Sequence, residues 1–122
     1  MAIVLKSKSE LEKMRAANVV VCTVLDEVER MVKPGITTWD LEARAREMVQ
    51  EFKVRPAFLG YGDPPFPAVC CISPNEEVVH GIASKDRVLV EGDIVSVDFG
   101  VEKDGYYGDS ARTIAVGKVS KT

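Results

Sequence analysis

Apolar residues recur at helical spacing in the first half of the chain and alternate with polar ones toward the end of the second. Leu11, Met14, Val21, Val24, Val28 and Met31 form one stripe of a helix predicted over residues 10–32. Ser9 and Glu12 have the Ser-x-x-Glu spacing of a capping box at its start, and Lys33-Pro34-Gly35 stops it. Thr37 or Thr38 caps a second helix running to about Phe52, with Leu41, Ala45, Met48 and Phe52 on its buried face. Residues 53–67 hold four of the six prolines and read as a loop. Short extended pieces are expected at Ala68–Ser73, at Val78-Val79-His80 beyond a Pro74-Asn75 turn, and at Val88–Val90 inside a connector spanning 83–93. A hairpin over 94–116 closes the pattern. Two helices followed by four or five strands predict an α+β fold, a single domain over residues 1–122 with both helices on one face of an antiparallel sheet.

The hairpin carries the most chemical information. Asp104-Gly105 stands between two runs rich in β-branched and aromatic residues, and a type I′ turn needs φ > 0 at both of its central residues. With Asp104-Gly105 as the two-residue loop, Lys103 pairs with Tyr106, Asp98 with Ala111 and Asp109 with Gly100. Side chains alternate faces along a strand, so Asp98 and Asp109 share a face as diagonal neighbours, roughly 7–8 Å apart at most. A three-residue loop would place them on opposite faces, and a bulge would restore the match. Two close carboxylates repel unless a proton or a cation sits between them. A divalent metal suits the position. The alternative is a pair of solvent-facing residues on the polar side of the sheet; against it, strand interiors are depleted in Asp, and neither carboxylate has a Lys or Arg in register opposite. One sheet face is then covered by two helices, and the face with the aspartates requires something else opposite it.

Composition narrows the class. A hydrophobic share of 46% and a charged share of 29% describe an ordinary soluble chain. The net charge of −3, with no basic run, points to neither nucleic acid nor an anionic membrane as partner. No apolar stretch reaches the length of a membrane span, and the first residues lack the apolar core of a signal peptide. Cys22, Cys70 and Cys71 are odd in number with two adjacent, a poor disulfide framework that suits a cytoplasmic chain.

Other candidates have plainer alternatives. His80 is the only histidine; it suits a hydrogen-bonded structural role, or a group at a strand end that donates to a carbonyl, binds metal or stabilises a leaving amine. Cys70 and Cys71 would alternate faces on a strand, and small buried hydrophobes describe them better than nucleophiles. Gly60-Tyr61-Gly62-Asp63 lacks the ending of a phosphate loop. Tyr61 and Phe66 either line an apolar pocket or pin their loop to the domain, and Trp39 near a helix start reads as packing.

Three motifs together, Cys71-Ile-Ser-Pro-Asn-Glu-Glu-Val-Val-His80-Gly-Ile, Gly92-Asp-Ile-Val-Ser-Val-Asp98 and Asp104-Gly-Tyr-Tyr-Gly-Asp109, strongly resemble type I methionine aminopeptidases. Lys33-Pro-Gly-Ile-Thr-Thr38 also looks like that family, so the resemblance runs over nearly the whole chain. It implies half of a pita-bread fold, in which two similar halves surround a dinuclear site. It implies divalent metal ions (cobalt, manganese, iron or zinc), two per complete site, and the N-terminus of a peptide or nascent protein as substrate. By the same resemblance Asp98 binds one metal and Asp109 bridges both. His80 contacts substrate without being a ligand, and Tyr61, Phe66 and Cys71 belong to the methionine side-chain pocket. Asn75 matches a position near a monovalent-cation site. The family's other ligands, one histidine and two glutamates, lie downstream, and this chain's single histidine already matches a different position. The chain therefore resembles the N-terminal half of such an enzyme. The resemblance implies partial or absent activity alone, and a complementary C-terminal half or a homodimer as partner. A half-domain that docks or dimerises without catalysis is the alternative.

Overall fold

The computed structural model describes residues 7–60, 65–75 and 82–117. Two helices, α1 (Lys8–Met31) and α2 (Thr38–Phe52), precede four strands, β1 (Arg55–Pro56), β2 (Cys70–Pro74), β3 (Ile94–Lys103) and β4 (Tyr106–Ala115). All pairings are antiparallel and centre on β3: β4 lies along one edge, and β2 with the short β1 shares the other. This is the expected α+β architecture, with no described helix long and apolar enough to cross a membrane.

The helix starts follow from side-chain caps. Thr37 caps α2 as its sequence suggests, exchanging bonds with Asp40: Asp40 N–H donates to Thr37 Oγ1 at 3.1 Å, and Thr37 N–H to Asp40 Oδ2 at 2.9 Å. At α1 the box is two residues earlier than expected. Ser7 and Glu10 form it, and Ser9 lies inside the helix. Both serines satisfy the same spacing, so the motif alone does not choose between them. Burial on α1 begins at Ala17, leaving Leu11 exposed and Met14 half-buried. Phe52, assigned to the buried face of α2, is exposed at the last turn, and Glu42 is fully buried in that helix.

The core fills the space between helices and sheet. Val20, Val21, Val24, Leu25 and Val28 of α1 and Leu41, Ala45 and Met48 of α2 meet Val95, Val97, Phe99 and Val101 of β3. Residues of odd number on β3 point into this layer and those of even number away from it, as a two-residue period requires. The start of the Pro-rich segment is extended, because Arg55 and Pro56 pair with Glu102 and Val101. The expected strand at Val88–Val90 is a single bridge from Val88 to Thr37. The Val78-Val79-His80 piece lies outside the described residues.

Candidate metal centre and adjoining cavity

The hairpin forms in the register read from its turn. Lys103 pairs with Tyr106, Asp98 with Ala111 and Gly100 with Asp109. Asp104 and Gly105 have φ values of 52° and 84°, which makes the turn and fixes the parity of everything outward from it. Asp98 and Asp109 accordingly stand on the face away from the helices, with Cys71 beside Asp98 across the β2 pairing.

Their electrostatics are those of a crowded pair. Burial raises the Asp98 carboxyl to about 6, and the neighbouring Asp109 carboxylate adds to the shift, partly offset by the backbone N–H of Phe99. Asp98 Oδ1 is buried and has no hydrogen-bond partner among the described residues. An acceptor buried without a donor is costly, and a hard cation between two carboxylates relieves both that cost and their repulsion. The donor set therefore fits a divalent metal. It is also incomplete: such a cation takes about six oxygen ligands, and no group of three or more ligating side chains forms among the described residues.

A cavity of roughly 350 Å³ opens beside Asp98, lined by Phe58, Phe66, Cys71 and Asp98. Phe58 and Phe66 meet edge to face, with ring centres 6.5 Å apart, and make its aromatic wall. Burial raises the Cys71 thiol, a hydrogen bond with Ser73 offsets part of this and the charge of Asp98 adds to it, so the wall stays neutral at pH 7. Cys70 points into the core, where burial pushes its thiol well up. The two adjacent cysteines thus divide between core and cavity as strand alternation requires. Tyr61 and His80 lie outside the described residues.

Two contributors escape a reading of the sequence. Phe58 lies in the Pro-rich loop, where a single aromatic gives no periodic signal. Glu42 reads as a solvent-facing helix residue, yet its carboxylate accepts from the backbone N–H groups of Val69 (2.8 Å) and Cys70 (3.0 Å) and from Arg46 Nε (2.7 Å). It ties α2 to the start of β2, the strand that carries Cys71. Arg46 also donates to the Pro67 carbonyl and lies over the ring of Trp39, which Lys85 flanks as well. Trp39 packs against the core as expected. Asn75 has both ends of its amide engaged, Nδ2 donating to Asp93 Oδ1 and Oδ1 accepting from Ile94 N–H. It adopts φ 53° and clasps the end of β2 to the start of β3. Asp93 is held below the usual carboxylate range by the Val90 N–H and by Asn75.

The chain is similar to known proteins over nearly its whole length. A methionine aminopeptidase of Aquifex aeolicus is 53% identical over 125 residues, covering 98% of this chain and 48% of the relative. One from Clostridium acetobutylicum is 49% identical over 119 residues, covering 98% and 47%. The crystal structure of the Thermotoga maritima methionine aminopeptidase superposes with a TM-score of 0.89 at 44% identity, over 98% of this chain and 47% of that one. The prolidase of Pyrococcus furiosus shares the fold at a TM-score of 0.75 and 21% identity. The chain spans about half the length of the curated relatives it matches. The family description that fits residues 12–122 is that of the M24 metallopeptidases, and with its paired carboxylates on the open side of a two-helix, antiparallel sheet the chain belongs to that family.

Proposed function

We propose that this chain supplies one share of a metal-dependent aminopeptidase site that removes N-terminal methionine from peptides and nascent proteins. The observation that carries the reading is the Asp98–Asp109 pair, with a buried carboxylate oxygen that has no donor among the described residues. Asp98 and Asp109 would hold a divalent metal, which when bound supplies Lewis acidity toward a peptide carbonyl. The cavity beside them suits an unbranched, apolar first side chain. Phe58 and Phe66 give it a polarisable aromatic wall of the kind thioethers favour, and Cys71 closes it without charge. By resemblance to the family, Tyr61 completes this pocket and His80 contacts the reacting carbonyl or the leaving amine. Free cysteines at positions 22, 70 and 71 suit a reducing cytoplasm.

Two carboxylates leave most of a metal's coordination sphere to solvent, so the chain alone binds metal weakly and turns over slowly or not at all. Release of methionine from a Met-Ala-Ser peptide, with added cobalt or manganese, is the test. Little or no turnover is expected from the monomer, and robust turnover by it would overturn the partial-site reading. A specific observation also favours an interaction role. Among the described residues no helix covers the sheet face opposite α1 and α2, and Ile94 and Tyr107 are exposed there, so a complementary half or a second copy would bury it. Sedimentation at high concentration separates these cases, and a clean monomer removes the homodimer.

A further inference from the structure

Helix α1 runs alongside β4 in step with it. Lys13 lies over the ring of Tyr106, with Nζ 5.9 Å from its centre, and Arg112 Nη1 reaches Asp26 at 2.5 Å and Glu29 at 3.4 Å. From Lys13 to Asp26 a helix rises roughly 20 Å, and from Tyr106 to Arg112 a strand rises roughly 20 Å. The two elements therefore match in length between their end contacts. Tyr106, Gly108, Arg112 and Ile114 all lie on the side of β4 that faces the helix, and Asp109 lies on the other.

A close approach falls at Gly108, next to Asp109. A methyl group placed on Gly108 would stand 2.9 Å from the Ala17 carbonyl carbon, 2.9 Å from Asn18 Oδ1 and 3.0 Å from the Asn18 nitrogen. Two of these three are main-chain atoms of a packed helix, so no side-chain rotation relieves the clash. On the open side Gly100 sits opposite Asp109. A methyl group there would lie 3.1 Å from the Gly108 carbonyl oxygen, 3.3 Å from Ala57 Cβ and 3.5 Å from Asp109 Cβ. Asp109 is thus flanked on both faces of the sheet by positions without a side chain.

We propose that α1 sets the height of Asp109 above the open face through main-chain contact at Gly108, and so sets the gap to Asp98. Gly108 is a positioning residue: it touches no ligand and acts through Asp109. The inference rests on the reading above that the two carboxylates share a cation. A side chain at Gly108 pushes β4 away from the helix and carries Asp109 with it, whereas lost packing further along β4 weakens the fold without moving that carboxylate.

Terbium(III), a hard cation that prefers oxygen ligands, serves as the probe, with tyrosine-sensitised luminescence of the chain as the readout. Gly108→Ala is expected to weaken terbium binding about tenfold, the scale seen when a group supporting a metal ligand is lost. Ile114→Ala, on the same side of β4, is expected to lower the melting temperature and leave terbium affinity unchanged. A folded Gly108→Ala chain that binds as the wild type does would overturn the proposal, as would an equal loss in Ile114→Ala. Should Gly108→Ala not fold, Gly100→Ala decides: a smaller loss of affinity supports the proposal and unchanged affinity overturns it. Metal-free crystal structures of the wild type and the folded variant read the Asp98–Asp109 gap directly. Failure of the wild type to bind terbium counts against the cation reading alone, while an unchanged gap in the variant overturns the positioning role.

Discussion

The two faces of β3 are built from the same ten residues and follow opposite rules. On the helix side Val95, Val97, Phe99 and Val101 are fully buried and apolar. On the open side Ser96, Asp98, Gly100 and Glu102 alternate with them and include the one buried carboxylate oxygen with no partner among the described residues. The covered face is a packing problem solved within the chain. The open face stays unsolved, with charges crowded and small residues leaving space. The difference separates what the chain does by itself, which is fold, from what requires a cation or a second surface.

The strongest way to break the contrast is to exchange consequences between adjacent residues. Phe99→Ala should cost about 3–5 kcal/mol by opening a core cavity, measured by urea unfolding. Asp98→Asn, one position away, should leave stability at neutral pH equal or higher and abolish cation binding by titration calorimetry. A large stability loss from Asp98→Asn would mean that the open face also holds the fold together. Glu42→Gln comes next. One of its two carboxylate oxygens becomes an amide NH₂ facing a backbone N–H, so a loss of about 1–3 kcal/mol is expected by the same unfolding assay.

A pH dependence sharpens the comparison further. In the folded chain Asp98 titrates near 6 against an ordinary value of 3.8, so between those values the native state binds more protons than the unfolded one. Stability of the metal-free chain therefore falls as pH rises through that window, the reverse of a salt-bridged carboxylate. Melting temperatures across this range should show the slope, and Asp98→Asn should flatten it. The smallest effect belongs to Thr113→Ala on the open face, expected within about 0.5 kcal/mol, because its hydroxyl meets Ser96 at a long 3.5 Å on an exposed surface.

The sequence reveals these two faces unevenly. The hairpin is legible to the residue because Asp104-Gly105 permits one turn, and every pairing outward then follows by counting. The α1 start is not, because Ser7 and Ser9 present the same spacing to two glutamates. The first strand hides in a Pro-rich segment, since two residues pairing with Glu102 and Val101 leave no alternation to detect. Glu42 is the instructive miss. A glutamate within a helix reads as solvated until the helix packs against a strand whose first N–H groups lack carbonyl partners. Phe58 likewise acquires meaning only when the loop folds back to face Phe66.

Glu42 has a kinetic consequence as well. The amide hydrogens of Val69 and Cys70 end on its carboxylate, which is anchored in α2 and has no place in the ladder of the sheet. Their exchange with solvent should therefore follow the loosening of the helix more closely than the fraying of the strand. Two peptide groups behind the cavity become a clock for α2. Isotope exchange at these positions would report how often the helix releases its grip, even while the rest of β2 keeps its pairing with β3.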